Sequence, residues 1–169
     1  PRAPFDPFII DEEERDGYTA RKVLYNVNAW NRVQAYLLVP KGEGPFPAVL
    51  LLHDHGARFD IGKEKMVRPF HVEPARLQAA QEWVRGNYGG RFVGDELARR
   101  GYLCLAVDAL NWGDRGGAGK EGQQALASNL FNLGMSLAGV VAWEDLSALR
   151  FLAALPDVDT TRIAAMGYS

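Results

Sequence analysis

Ser169 follows Gly167 by two positions and closes an apolar run, Ile163 to Met166. A Gly-x-Ser step leaving a buried strand is the opening of G-x-S-x-G, a sharp strand-to-helix turn that lifts a serine hydroxyl clear of the sheet. Small residues are needed there because strand and helix backbones nearly touch. The helix start then offers backbone N–H groups to a developing oxyanion. The second Gly-x-Ser, Gly134 to Ser136, opens a long helical segment, follows no strand and lacks the later glycine. Its serine is expected to cap that helix.

Three other stretches carry chemistry-bearing residues. In "LLLHDHGA" (50–57), an apolar run ends on His53, Asp54 and His55 before Gly56. Metal ligation by these three is one reading, but a metallo-hydrolase H-x-H-x-D-H pattern would need further ligands near Arg58 and Phe59. A strand end with no chemistry is another. In "AVDALNWGDRG" (106–116), Asp108 closes a strand and is expected to order loops, while Trp112 and Arg115 are candidates to line a pocket. "GAGKEG" (117–122) fits G-x-G-x-x-G, yet the nearest strand ends at Asp108, too far upstream for a dinucleotide fingerprint. Glu121 stands where a P-loop needs Ser or Thr, so this stretch is expected to be a flexible loop.

The elements that must position these residues alternate. Residues 1–16, acidic and Pro-rich, read as an arm over the surface. "TARKVLYNV" and "RVQAYLLVP" flank the turn cluster "NAWN" and predict an antiparallel hairpin, with Val33, Ala35 and Leu37 on one face. "AVLLLH", "YLCLAVD" and "RIAAMG" read as strands apolar on both faces. "ARLQAAQEWV" and "RFVGDELARRG" predict helices, the second stopped by Gly101. The segment "GMSLAGVVAWEDLSALRFLAALP" (134–156) predicts the longest helix, ended by Pro156, with an apolar stripe at Ala142, Leu146, Leu149 and Ala153 and with Glu144 on the other side. Strands alternating with helices mean a parallel sheet covered on both faces.

Composition sets the outer bounds. A chain of 169 residues with net charge −2 holds one core and has no basic face for nucleic acid. Lys63 and Lys65, mixed with Asp60 and Glu64, read as solvated surface. One cysteine, Cys104, excludes an internal disulfide framework and reads as a buried apolar side chain. No apolar run approaches the ~20 residues of a membrane span. Oligomeric state is left open. The compartment is open too, between cytoplasm and export after signal removal.

With these pieces in order, the chain resembles the α/β-hydrolase superfamily, in particular its dienelactone-hydrolase-like and acetyl-xylan-esterase-like branch. The resemblance rests on "PFPAVLLLHDHGA", "ELARRGYLCLAVDALNWGDRG" and "WEDLSALRFLAALPDVDTTRIAAMGYS", and spans about residues 30–169. It implies an α/β-hydrolase fold: a mostly parallel sheet with an N-terminal antiparallel hairpin and helices on both faces. Residues 17–169 would be the N-terminal part of one such domain, 58–90 an insertion, and the remainder would lie beyond 169, in the same or a separate chain. It implies Ser169 as nucleophile. Its oxyanion hole would come from the backbone N–H of His55, beside Gly56, and from the residue after Ser169. Asp54 stands where this branch keeps an acidic residue near the nucleophile. The triad acid and histidine would follow in chain order, since His53, His55 and His71 do not fall at the family's histidine position. Serine in place of the cysteine of dienelactone hydrolases proper implies ordinary ester hydrolysis of a small-molecule substrate, with no metal or organic cofactor. A prolyl-oligopeptidase-type peptidase and a non-catalytic binding protein of the same fold are the alternatives.

Overall fold

A computed structural model describes residues 4–116 and 118–169. Six strands form one sheet: β1 (Phe8–Arg15), β2 (Tyr18–Asn26), β3 (Arg32–Pro40), β4 (Phe46–Leu52), β5 (Leu103–Val107) and β6 (Val158–Gly167). Their spatial order is β1-β2-β3-β5-β4-β6. The first three strands and the β3–β5 pair run antiparallel, whereas β5, β4 and β6 are mutually parallel. The predicted hairpin is β2–β3, joined by a turn in which Asn28 Oδ1 accepts the N–H groups of Trp30 and Asn31.

Side-chain parity divides the interior into two layers, because successive residues of a strand point to opposite faces. On one face Val23, Tyr25, Val33, Ala35, Leu37, Leu50 and Leu105 pack against Ala148, Phe151 and Leu152 of helix α4 (Leu137–Ala153). On the other face Ala20, Tyr36, Leu38, Leu51, Cys104 and Ala106 meet Met66, Val67, Phe70 and Ala98. Ala98 belongs to helix α2 (Val93–Ala98), which is followed by Gly101 at φ +86°. There the N–H groups of Gly101 and Tyr102 return to the carbonyls of Ala98 and Leu97, the closing geometry that a left-handed glycine permits. Cys104 lies in the core as expected.

Several expectations change. The supposed arm contains β1, whose residues 8–15 pair along β2 through Arg21–Glu12 and Lys22–Asp11 contacts as well as backbone bonds. Three apolar residues followed by five charged ones in "FIIDEEER" show no strand alternation, so only the partner strand distinguishes an edge strand from a loose segment. The glycine-rich stretch was expected to stay a loop, but helix α3 (Gly119–Asn132) begins inside it; Gly117 lies outside the described residues. Two early glycines, each costing about 1 kcal/mol in a helix, obscure six good helix formers behind them: Gln123, Gln124, Ala125, Leu126, Ala127 and Leu130. On α4 the buried face is Glu144, Ser147, Ala148, Phe151 and Leu152, while Leu146 of the expected stripe is 51% exposed. The i, i+3, i+4, i+7, i+8 spacing is helical either way. Arg115 pairs with Glu144 on that inward face, beside the apolar packing of Ala148, Phe151 and Leu152.

Ser136 caps α4, its Oγ accepting the Gly139 N–H at 3.0 Å. β6 is the outermost strand among the described residues and leaves Met166 45% exposed. Phe151 anchors α4, stacked on Tyr25 at 4.0 Å between ring centroids and edge-on to Phe5 at 5.5 Å. Phe151→Ala should cost about 3–5 kcal/mol in equilibrium denaturation. Ala142→Ser, on the outward face, should change stability by no more than about 0.5 kcal/mol.

Candidate active site

In the parallel part of the sheet, Leu52 of β4 pairs with Val107 of β5 on one side and with Gly167 of β6 on the other. The three strands therefore end level, and His53, Asp108 and Tyr168 leave the sheet along one edge. The carboxyl edge of parallel strands is where α/β proteins build their sites. Ser169 stands at φ +67°, a left-handed conformation that costs a non-glycine residue energy. A Cβ at Gly167 would lie 3.3 Å from Leu52 Cβ, a tight contact that β4 could admit only by giving a few tenths of an ångström. Tyr168 packs edge-on against Tyr88, just past helix α1 (Pro74–Asn87), at 6.0 Å.

The loop after β4 is held from several directions. His53 Nε2 accepts the Ala109 N–H at 3.0 Å, so Nδ1 carries the proton and donates to the Asp54 carbonyl at 2.9 Å. Burial keeps this imidazole neutral and moves its pKa below the usual value. Both nitrogens are thus spent tying the ends of β4 and β5 together. Asp54, 3% exposed, receives Tyr88 Oη at 2.7 Å and Trp83 Nε1 at 3.1 Å on one carboxylate oxygen. Its other oxygen is buried without a hydrogen bond, 3.6 Å from Lys65 Nζ. Gly56 stands at φ +53°, and a Cβ there would meet the Trp83 ring at 2.3 Å. His55 is exposed; its Nδ1 accepts the Ala57 N–H at 3.0 Å, and its Nε2 faces Gln123 at 3.2 Å.

Asp108 orders loops, as expected. Its carboxylate accepts Lys63 Nζ at 2.6 Å, the Lys63 N–H at 2.7 Å and the Asp114 N–H at 3.0 Å. The carboxylate lies so close to Gly62 and Gly113 that a Cβ at either would approach it to 2.3 and 2.5 Å. The reading of Lys63 and Lys65 as solvated surface is overturned: Lys63, Glu64 and Lys65 are all completely buried. Lys63 also reaches Asp114 at 2.6 Å and Glu64 at 3.2 Å, and Arg76 of α1 joins both carboxylates. Burial alone would lower the Lys63 pKa, but Asp108, Glu64 and Asp114 outweigh it and hold the ammonium well above its ordinary value. Burial raises the pKa of Glu64 against the pull of Lys63. The segment 58–90, read as an insertion beside the pocket, supplies the most deeply buried charges of the described residues.

Trp112 and Arg115, the candidates to line a pocket, both make contacts within the scaffold. Trp112 is 5% exposed, packs on His53, His55 and Phe59, and donates Nε1 to the His55 carbonyl at 3.1 Å. Arg115 forms a two-point pair with Glu144 at 2.6 and 2.9 Å and donates to the Asp108 carbonyl. A cavity of about 630 Å³ lies elsewhere, between the β2–β3 turn and α4, lined in part by Trp30 and Trp143. Lys63, Lys65, Trp83 and Tyr88 were missed in the sequence. The available signal was "IGKEKMV", where apolar Ile61, Met66 and Val67 bracket the charges.

Two measurements follow. Lys63→Met and Asp108→Asn should each destabilise by about 3–5 kcal/mol, because each leaves a buried charge without its partner. The double variant should lose clearly less than the sum, read from a double-mutant cycle. In pH-dependent stability, His53 binds a proton more weakly folded than unfolded, so its contribution is lost as pH falls below 6.5. Asp145 acts oppositely: burial pushes its pKa up to about 6 from 3.8, so the folded state takes up the proton first and stability is lost as pH rises through 6. His53→Asn and Asp145→Asn should therefore change the slope of stability between pH 4 and 7 in opposite directions.

The fold of this chain is similar to that of known proteins. No protein-family model matches the chain. YtaP, a provisionally named hydrolase of Bacillus subtilis (strain 168), is 29% identical over 169 residues, which are 99% of this chain and 50% of that protein. The crystal structure of a provisionally named acetyl xylan esterase from Bacteroides fragilis NCTC 9343 superposes with TM-score 0.76 at 21% identity, over 96% of this chain and 42% of that one. A dienelactone-hydrolase-like promiscuous phosphotriesterase from metagenomic libraries gives TM-score 0.53 at 21% identity, over 90% of this chain and 50% of that one. The chain thus spans about half the length of the proteins it matches. Level parallel strand ends, a covered sheet and these superpositions together identify the fold as the α/β-hydrolase fold, of the kind seen in acetyl xylan esterases and dienelactone-hydrolase-like proteins.

Proposed function

We propose that this chain supplies the nucleophile and one wall of the oxyanion hole of a serine hydrolase that cleaves carboxylic esters through an acyl-enzyme. The observation that carries the proposal is the left-handed Ser169 at the end of β6, one strand across from the loop 53–57. Strain of this kind is stored where a residue must present its side chain in an otherwise unfavourable direction. The resemblance to an acetyl xylan esterase and a provisionally named hydrolase supports ester hydrolysis as the reaction.

In this reading Ser169 Oγ attacks the ester carbonyl carbon and passes its proton to a histidine, and the carbonyl π electrons move to oxygen. The oxyanion is held by the backbone N–H of His55 and that of the residue following Ser169. Collapse expels the alcohol, which takes the proton from the histidine, and water then releases the acid by the same route in reverse. The base is supplied from polypeptide outside these 169 residues, together with its acidic partner. The three histidines of this chain support that assignment: His53 has both nitrogens bonded, His55 accepts the Ala57 N–H, and His71 pairs with Asp11 at the β1 end of the sheet. No metal or organic cofactor has a step in this scheme.

The test uses the polypeptide that carries this chain, a fluorophosphonate probe and p-nitrophenyl acetate. An adduct mapped to Ser169, and loss of turnover by at least about 10³-fold in Ser169→Ala, are expected. A wild-type protein that turns over no ester and takes no adduct would favour a binding protein of the same fold. Cleavage of Pro-containing peptides without ester turnover would favour a peptidase.

A further inference from the structure

The carbonyl oxygens of Asp54 and His55 are each doubly occupied. Asp54 O accepts His53 Nδ1–H at 2.9 Å and Lys65 Nζ at 2.9 Å. His55 O accepts Lys65 Nζ at 3.0 Å and Trp112 Nε1 at 3.1 Å. One buried ammonium thus grips two consecutive carbonyls, with one further donor on each. A trans peptide is planar, and its C=O and the following N–H point in opposite directions. Fixing the carbonyls of residues 54 and 55 therefore fixes the N–H groups of His55 and Gly56, aimed away from Lys65. Neither N–H has a hydrogen-bond partner among the described residues. Gly56 and Ala57 follow with φ of +53° and +52°.

Lys65 is itself rigidly held. It is completely buried, lies 5.0 Å from the centroid of the Trp83 ring and stands 3.6 Å from the free carboxylate oxygen of Asp54. Trp83 and Tyr88, by bonding the other oxygen of that carboxylate, fix the counter-charge in turn. Nothing in this arrangement requires the ammonium to reach the substrate: its donors are turned toward carbonyl oxygens.

We infer that Lys65, assisted by Trp112, is a positioning residue that presets the His55 and Gly56 amides as a paired oxyanion site, which makes the Gly56 N–H a further donor beside that of His55. The inference rests on the serine-hydrolase reading above. Removing either donor leaves a carbonyl held by a single hydrogen bond, and the amide on the far side of the same peptide is held less firmly with it. The effect falls on the transition state, where charge reaches the oxygen, and leaves ground-state binding largely intact.

Lys65→Met keeps the length of the side chain and removes the donors. Trp112→Phe keeps an aromatic ring and removes one donor, which covers the case in which the lysine variant does not fold. In the complete protein, kcat for p-nitrophenyl acetate should fall about 10-fold in Trp112→Phe and about 100-fold in Lys65→Met, with KM within about twofold. The affinity of a trifluoromethyl ketone, which forms an oxyanion on binding, should fall in parallel. Amide hydrogen exchange at His55 and Gly56 should change in both variants. A wild-type protein that labels on Ser169 and turns over ester, with a Trp112→Phe variant of unchanged kcat and ketone affinity, overturns this inference alone. A change in KM with kcat intact overturns it as well. Absence of the Ser169 adduct in the wild type, seen before any variant is made, overturns the serine-hydrolase reading and this inference with it.

Discussion

Lys63 lies in the interior with no exposed surface, and three carboxylates converge on its ammonium. Removing such a charge from water costs several kcal/mol, and the geometry has to return that through short, well-aligned contacts. The pair with Asp108 also joins two distant segments. Asp108 sits at the end of β5, and Lys63 belongs to a segment far from it in sequence, so the contact closes the segment 58–73 over the sheet edge. The close approach of Gly62 and Gly113 to the same carboxylate shows how tightly the two loops are drawn around it. With Lys63 set, Lys65 two residues on is carried under the loop after β4, where it grips two carbonyls.

The site edge is therefore built as two linked cages. In the first, Asp108 is the acceptor, and backbone and side-chain donors surround it. In the second, Lys65 is the donor, and backbone carbonyls surround it. His53 bridges them, accepting from the peptide after Asp108 and donating to the carbonyl of Asp54. Its neutral form is part of the bridge, since protonated Nε2 could no longer accept the Ala109 N–H. Rigid support of this kind is what an electrostatic site needs, because donors that must reorganise during reaction stabilise charge poorly. Supporting residues drawn from several distant segments hold a loop more firmly than the loop's own sequence can.

Around this edge the scaffold follows from simple parity. Strands covered on both faces are apolar at every position, and β4 and β5 read that way in sequence. Helices α2 and α4 lie on opposite faces for the same reason. β1 and α3 were harder to read. A charged edge strand resembles a loose segment until its partner is known, and a helix that begins with glycines resembles a loop. The buried face of α4 was misassigned because two helical stripes were available and apolar content favoured the wrong one. The inward face of α4 combines the Arg115–Glu144 pair with Ala148, Phe151 and Leu152, and Leu149 of the apolar stripe packs half-buried against the same core.

The sequence by itself determined the alternation of strands and helices, the hairpin, the ends of β4, β5 and β6, and the places where a site could form. It did so because buried strands, caps and turns leave local marks that a short window contains. His53, Asp54, His55, Asp108 and Ser169 could be put on one edge from those marks alone. The tertiary structure alone decided which partners His53, Asp54, His55 and Asp108 bond to there. Whether a histidine is free or spent, whether a lysine is solvated or buried, and which way an amide points all depend on partners tens of residues away. Lys63 and Lys65 make the point: beside Asp60 and Glu64 they look like surface, and only Asp108 in one case and the carbonyls of residues 54 and 55 in the other turn them inward.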